Sequence, residues 1–296
     1  MDKILNITST VRLSNGQLMP VFGIGTFNMP SNEVCKAAVL EALRVGYRHI
    51  DTAHAYNDER GVGEAIRESG VPRNEIWVTS KLWPSDYPDS LTAIDKMLQR
   101  LGLDYLDLLY VHQPVGEIKA AWKGMEEAVR QGKVRTLGIS DFDWHQKEVE
   151  ELFHYVCHEA EIKPAVMQIE FHPYAQREEW RSLMAENGIQ LEGWFPLGGG
   201  LLPRQTLRED PVILDIAASH GKTAAQVILR WHLQMGASTV PGSKDPIHIR
   251  ENADIFDFCL SEEEMKRIGT LNKEKRFYES DYEQLKSFVS GWGVKD

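Results

Sequence analysis

Cysteine is scarce in this 296-residue chain: Cys35, Cys157 and Cys259 stand far apart and form no C-x-x-C pair. An odd, scattered set argues against a disulfide framework and for a reducing compartment, with a buried free thiol as the ordinary role of each. No run approaches the ~18 apolar residues of a membrane span. The start, MDKILNITSTVRL, has neither a long apolar core nor a small-residue cleavage site. A cytoplasmic protein is therefore expected. Positive charge is also short: 33 basic residues face 44 acidic ones, a formal charge of −11. That field repels nucleic acid and anionic membranes, so neither is expected as a partner, and an anionic ligand would need a local basic pocket. No H-x-H or H-E-x-x-H occurs, which disfavours a metal hydrolase, and no metal site is expected. No G-x-G-x-x-G follows the first predicted strand, which disfavours an open dinucleotide-binding sheet.

What the chain does have is a repeated alternation. After a hairpin signal, with Val11–Leu13 and Gln17–Met19 flanking Ser14-Asn15-Gly16, short apolar runs alternate with helical periodicity. The runs are Val21–Gly25, Tyr47–Asp51, Ile76–Lys81, Leu106–His112, Val134–Ser140, Ala165–Ile169, Ile189–Gly193 and Ser238–Val240. Between them, residues such as Trp122, Met125 and Val129 share one helical face, and Thr223-x-x-Gln226 and Ser261-x-x-Glu264 read as capping boxes. Runs this apolar belong to a parallel sheet covered on both faces. Eight repeats predict an α/β fold, a (β/α)8 barrel of the usual ~250 residues, with an N-terminal β-hairpin and extra C-terminal helices. Gly61-x-Gly63-x-x-Ile66 lies inside a predicted helix and reads as close packing. No linker divides the chain, so residues 1–296 are expected to form one domain.

Several of these runs end in polar residues: Asp51, Lys81, His112 and Ser140-Asp141. In a parallel barrel all strand C-termini meet at one rim, where active sites lie. These groups should therefore converge, with Tyr56 on the loop above Asp51. Singly, a strand-end Asp is a helix cap, a Lys a salt-bridge partner, and a His a hydrogen-bonded structural residue; together they make a site. A Lys beside a Tyr is expected to lower the phenol's pKa, Asp51 to hold the ammonium in place, and His112 to offer a neutral N–H to the same oxygen. The group suits protonation of an oxygen that gains charge as its carbon is attacked, but it contains no hydride donor, so reduction would need a cofactor.

These residues resemble the aldo-keto reductase family from about Val11 to Phe277. The resemblance is carried by Gly23-Ile-Gly-Thr26, His49-Ile-Asp51-Thr-Ala53, Tyr56-Asn-Asp-Glu59, Thr79-Ser-Lys81-Leu-Trp83, Leu109-Tyr-Val-His112-Gln-Pro114, Gly138-Ile-Ser140, Gln168-Ile-Glu-Phe-His172-Pro173 and Pro241–Asn252. It implies reversible reduction of aldehydes and ketones, with Tyr56 as proton donor, Lys81 and Asp51 tuning it, and His112 orienting the carbonyl. It further implies a nicotinamide cofactor whose carboxamide meets Ser140, Asp141 and Gln168 and whose ring stacks on Trp194. Leu197, Gly198 and the next two glycines, with Ser243, would receive its phosphates. Lys244, His248, Glu251 and Asn252 would complete the cofactor site, and Phe27, Trp83 and Gln113 would line the substrate pocket.

Three departures from the family stand out. Asp141 replaces the usual Asn and should favour the oxidised, positively charged nicotinamide. Gly242 and His248 replace a Lys and an Arg that meet the 2′-phosphate in NADPH specialists. Lys244 and Arg250 are near enough to substitute, so NADP(H) is expected to be favoured and NAD(H) accepted. Trp194-Phe195 replaces the usual Tyr-Ser, keeping the stack but losing a hydroxyl. The short Pro114–Trp122 stretch and modest tail imply an open pocket for varied small carbonyls; Tyr278, Tyr282 and Trp292 either shape it or cap the barrel. A monomer is the family's usual form. Two rival readings remain: a lyase forming a Schiff base on Lys81, and a cofactor-binding relative without enzymatic activity.

Overall fold

In a computed structural model, residues 4, 6–198, 206–278 and 281–294 are described. The Asn15-Gly16 signal makes the predicted turn, with Gly16 in the left-handed region at φ 86°. It joins β1 (Thr10–Arg12) to an antiparallel β2 (Leu18–Pro20). Leu13 and Met19 of this hairpin pack against Trp77, Leu108, Ala165 and Val166, residues at or near the starts of barrel strands, and so seal the barrel's N-terminal end.

All eight predicted strands are present, most of them shorter than the apolar runs. They are β3 (Ile24–Gly25), β4 (His49–Asp51), β5 (Trp77–Leu82), β6 (Leu108–Val111), β7 (Leu137–Ser140), β8 (Val166–Glu170), β9 (Gln190–Trp194) and β10 (Ser238–Thr239). Each pairs in parallel with its sequence neighbour. Bridges Phe22↔Thr239 and Gly25↔Gly242 join the first strand to the last, closing the (β/α)8 barrel. Closure depends on the absence of side chains there: a Cβ on Gly25 would lie 2.7 Å from the Val240 carbonyl oxygen.

The helices start where the capping residues predict. Thr223 and Gln226 cap helix Ala224–Gln234, and Ser261 and Glu264 cap Glu262–Gly269, each as a reciprocal box. Helix Tyr282–Gly291 follows near the C-terminus, capped by Asp281 and Gln284. Gly61 and Gly63 lie in helix Glu59–Glu68, where added Cβ atoms would lie 2.3 Å from the Asn32 carbonyl oxygen and 1.9 Å from that of Leu101. Their role is close helix packing, which places the preceding loop, and Tyr56 with it, over the rim. Among the described residues no helix is long and apolar enough to cross a membrane.

Candidate active site

Asp51 ends β4, Lys81 lies near the end of β5, and His112 follows β6; the closed sheet brings all three to one rim. Tyr56 arrives on the single helical turn His54–Tyr56, which Asn57 ends in the left-handed region. The Lys81 Nζ is fully buried and donates to Asp51 Oδ1 at 2.6 Å, to the Thr52 carbonyl at 2.9 Å and to the Tyr56 hydroxyl at 3.3 Å. Three partners use all three ammonium protons and leave no lone pair for Schiff-base attack. Buried charge is tolerable because Asp51 supplies the counter-charge at hydrogen-bond distance.

The His112 ring lies edge-on to Tyr56 and Trp83, with centroids 5.7 and 5.0 Å apart. Burial, and after it the Lys81 charge, push the imidazole well below its usual range, so it is neutral at pH 7 as expected. Its Nδ1 is buried with no hydrogen-bond partner among the described residues. The phenol of Tyr56 departs from expectation. Burial, then the carboxylates of Asp51, Asp58, Asp141 and Glu192, hold it well above the usual tyrosine range. One ammonium at 3.3 Å does not offset that surrounding negative charge.

On the next strands, Ser140 of β7 and Gln168 of β8 are buried register partners. Asp141, just after β7, sits at φ 60°, a conformation Asn and Asp tolerate better than other side chains, so the backbone here accepts either residue. Its two oxygens accept from Gln113 Nε2 and Trp194 Nε1, each at 2.9 Å. Burial raises the Asp141 carboxyl to about 7, despite Arg276 and these two donors, which lower it; Asp143 adds to the rise.

The residues expected at the cofactor's phosphates are placed as follows. Leu197 is half-buried, and Gly198 is closed over by Phe277, whose ring a Cβ would meet at 2.4 Å. Gly199 and Gly200 lie outside the described residues. Ser243 Oγ accepts from the Asp245 N–H at 3.1 Å, and Asp245 caps helix Pro246–Ala253, which carries His248, Glu251 and Asn252. Glu251 accepts from Thr223, Asn252 is buried, and His248 is exposed. Arg250 does not stand free as a substitute cation: it pairs with Glu41 at 2.5 Å. Lys244 is exposed, with no ion pair among the described residues.

Phe27, Trp83 and the tail surround the Tyr56–His112 pair. Phe27 lies edge-on to Tyr56, centroids 5.1 Å apart. Trp292 packs 6.1 Å from Trp83 and donates to the Ala55 carbonyl at 3.1 Å, so the tail reaches the pocket wall rather than only capping the barrel. Tyr278 faces Trp194 and Phe195. Gln113 is turned towards Asp141. Two further groups have no mark in the one-dimensional pattern. His54 and Asp86 pair at 2.7 Å, and Asp86 also accepts from the Trp83 N–H, locking that wall. Glu170, Asp143 and the largely buried Arg276 anchor the tail, with Glu170 accepting the N–H groups of Phe277 and Tyr278.

Residues 21–273 match the model of the aldo/keto reductase family. The chain is 45% identical to a glyoxal reductase of Bacillus subtilis, over 92% of this chain and 95% of that protein. It is 38% identical to a methylglyoxal reductase of Escherichia coli, over 90% and 95%. Among solved structures, an aldo/keto reductase from Brucella melitensis aligns with a TM-score of 0.83 and 38% identity, covering 91% of this chain and all (100%) of that one. An aldo-keto reductase from a deep-sea metagenome library aligns at 0.85 and 37%, covering 92% and 100%. On the matched barrel and this likeness along nearly its whole length, the chain belongs to the aldo/keto reductase family.

Proposed function

We propose that this chain reduces small aldehydes and ketones to alcohols, reversibly, with hydride from a nicotinamide cofactor and a proton from Tyr56. The observation that carries this reading is the Lys81 ammonium held between Asp51 and the Tyr56 hydroxyl, at 2.6 and 3.3 Å. The residues present fit such a cofactor. Gln168 has an Oε1 that accepts from no described residue, Ser140 supplies a hydroxyl in register with it, and half-buried Trp194 supplies a flat ring. Those are an acceptor, a donor and a stacking face for an amide-bearing heterocycle. When bound, the nicotinamide supplies the hydride. Tyr56 holds the proton, Lys81 neutralises the phenolate left behind, and neutral His112 orients the carbonyl oxygen. The names of the relatives make α-dicarbonyls such as glyoxal and methylglyoxal the first substrates to test.

Purified protein is expected to oxidise NADPH in the presence of methylglyoxal, with NADH also accepted. Exposed Lys244 is the remaining candidate for the 2′-phosphate, and an exposed ion pair is worth about 0.2–1 kcal/mol. NADPH should therefore lead in kcat/KM by no more than about fivefold. A strict NADH preference would overturn this ordering, and an NADPH preference of several orders of magnitude would overturn the assignment of Lys244 as the remaining cation; no oxidation with any carbonyl would overturn the function.

Asp141 should sort the two redox forms. Its carboxyl, raised to about 7, is ionised above that pH and then attracts the oxidised ring's positive charge; below it the group is neutral and the attraction is lost. The ratio of dissociation constants, reduced over oxidised, should therefore rise as pH passes upward through neutrality and stay flat in Asp141→Asn. Calorimetric titration of both forms at several pH values checks this; parallel curves for the two proteins would refute it.

A further inference from the structure

The layer beneath the catalytic groups is polar. Glu192 points from β9 into the barrel interior and is fully buried, although nothing in the proposed proton transfer uses it. Its Oε2 accepts from Gln168 Nε2 at 2.7 Å and from the Tyr110 hydroxyl at 2.8 Å, and Ser238 Oγ lies 3.5 Å from Oε1. The ionisable groups facing it are His49, whose Nε2 is 3.8 Å away, Asp51 on the same strand as His49, and Tyr110. Burial pushes its carboxyl up, against the pull of His49 and the donors from Gln168 and Tyr110, while Asp51 adds to the rise.

The consequence lies at Gln168. Its amide nitrogen donates to Asp51 Oδ2 at 3.0 Å as well as to Glu192, so both amide protons are held between two carboxylates. Turning the amide over would set its oxygen against two acceptors. Oε1 is thereby directed away from them and accepts from no described residue. Asp51 alone would hold only one of the two amide protons. Without Glu192 one amide proton loses its acceptor, and half of the hold on the amide goes with it, whether or not the Tyr110 hydroxyl is present.

We propose that Glu192 is a positioning residue that locks the Gln168 amide with its oxygen towards the carboxamide of the bound nicotinamide. This rests on the reading of Gln168 as a cofactor contact. Glu192→Gln keeps an acceptor oxygen for both Gln168 and Tyr110, whereas Glu192→Met keeps none. The test is calorimetric titration of NADPH and NADP+ into the purified wild type, E192Q, E192M and Q168L, with an unfolding midpoint for each. E192M should raise both dissociation constants about tenfold, as expected for one misdirected buried hydrogen bond. E192Q should stay within about twofold of wild type, since the acceptor survives. If E192M does not fold, E192M/Y110F, which leaves no orphaned phenol, replaces it with the same expectation. Wild-type affinity in the methionine variant, or an equal loss in E192Q and E192M, would overturn the proposal. Wild-type affinity in Q168L would instead overturn the reading of Gln168 on which it rests.

Discussion

Tyr56→Phe is expected to lower kcat for carbonyl reduction by roughly 10²–10⁴, the usual contribution of a positioned general acid. The substitution keeps the ring that packs on Phe27 and His112 and removes only the hydroxyl 3.3 Å from Lys81 Nζ. Cofactor affinity should be unchanged, which separates a chemical defect from a binding one. The pH dependence follows from the direction of the shift. With the phenol held well above its usual range, Tyr56 stays protonated through neutrality and keeps its proton to give. Reduction should therefore show no loss from phenol ionisation until pH passes ~10, the ordinary tyrosine value. Single-turnover rates of both proteins across pH make the comparison, and equal rates would remove Tyr56 from the mechanism.

Lys81→Met carries the largest expected effect on stability. It strands the buried Asp51 carboxylate, which is 3% exposed, with the Gln168 amide as its remaining donor. Removing one member of a buried pair costs about 3–5 kcal/mol, because the other charge is left uncompensated in a dry site. The denaturant midpoint should fall accordingly, and carbonyl reduction should be lost with it. Replacing both partners, Lys81→Met with Asp51→Leu, should recover much of the stability and none of the activity, since the burial penalty goes but so does the proton-transfer machinery. A single variant as stable as wild type would show that the pair is solvated and that its tuning role is misassigned.

The rim that carries the candidate site is largely legible in one dimension because barrel topology is a strict rule. Asp51, Lys81 and His112 close apolar runs, and parallel strands carry such positions to one rim whatever their separation in sequence. Their chemistry was less legible. A Lys next to a Tyr reads as a pKa-lowering pair, yet the phenol moves upward because Asp58, Asp141 and Glu192 also converge on it. Arg250 reads as a spare cation for a phosphate, yet Glu41 holds it. Glu192 passes as one polar residue in a strand, and its meeting with Gln168 and Tyr110 depends on which way three strands face.

The order of polar and apolar residues along the chain determined the eight strands, the capped helices, the rim on which the site lies and the residue types available there. Those follow from local rules: strand alternation with helices, capping geometry and the common direction of parallel strands. Only the tertiary structure decided which charges face one another across the barrel, how far the tail reaches over the rim, and that Glu41 takes up Arg250. Coulomb and desolvation effects act over a few ångströms between residues far apart in the chain, such as Glu41 and Arg250, 209 positions apart, and sequence order does not encode that proximity.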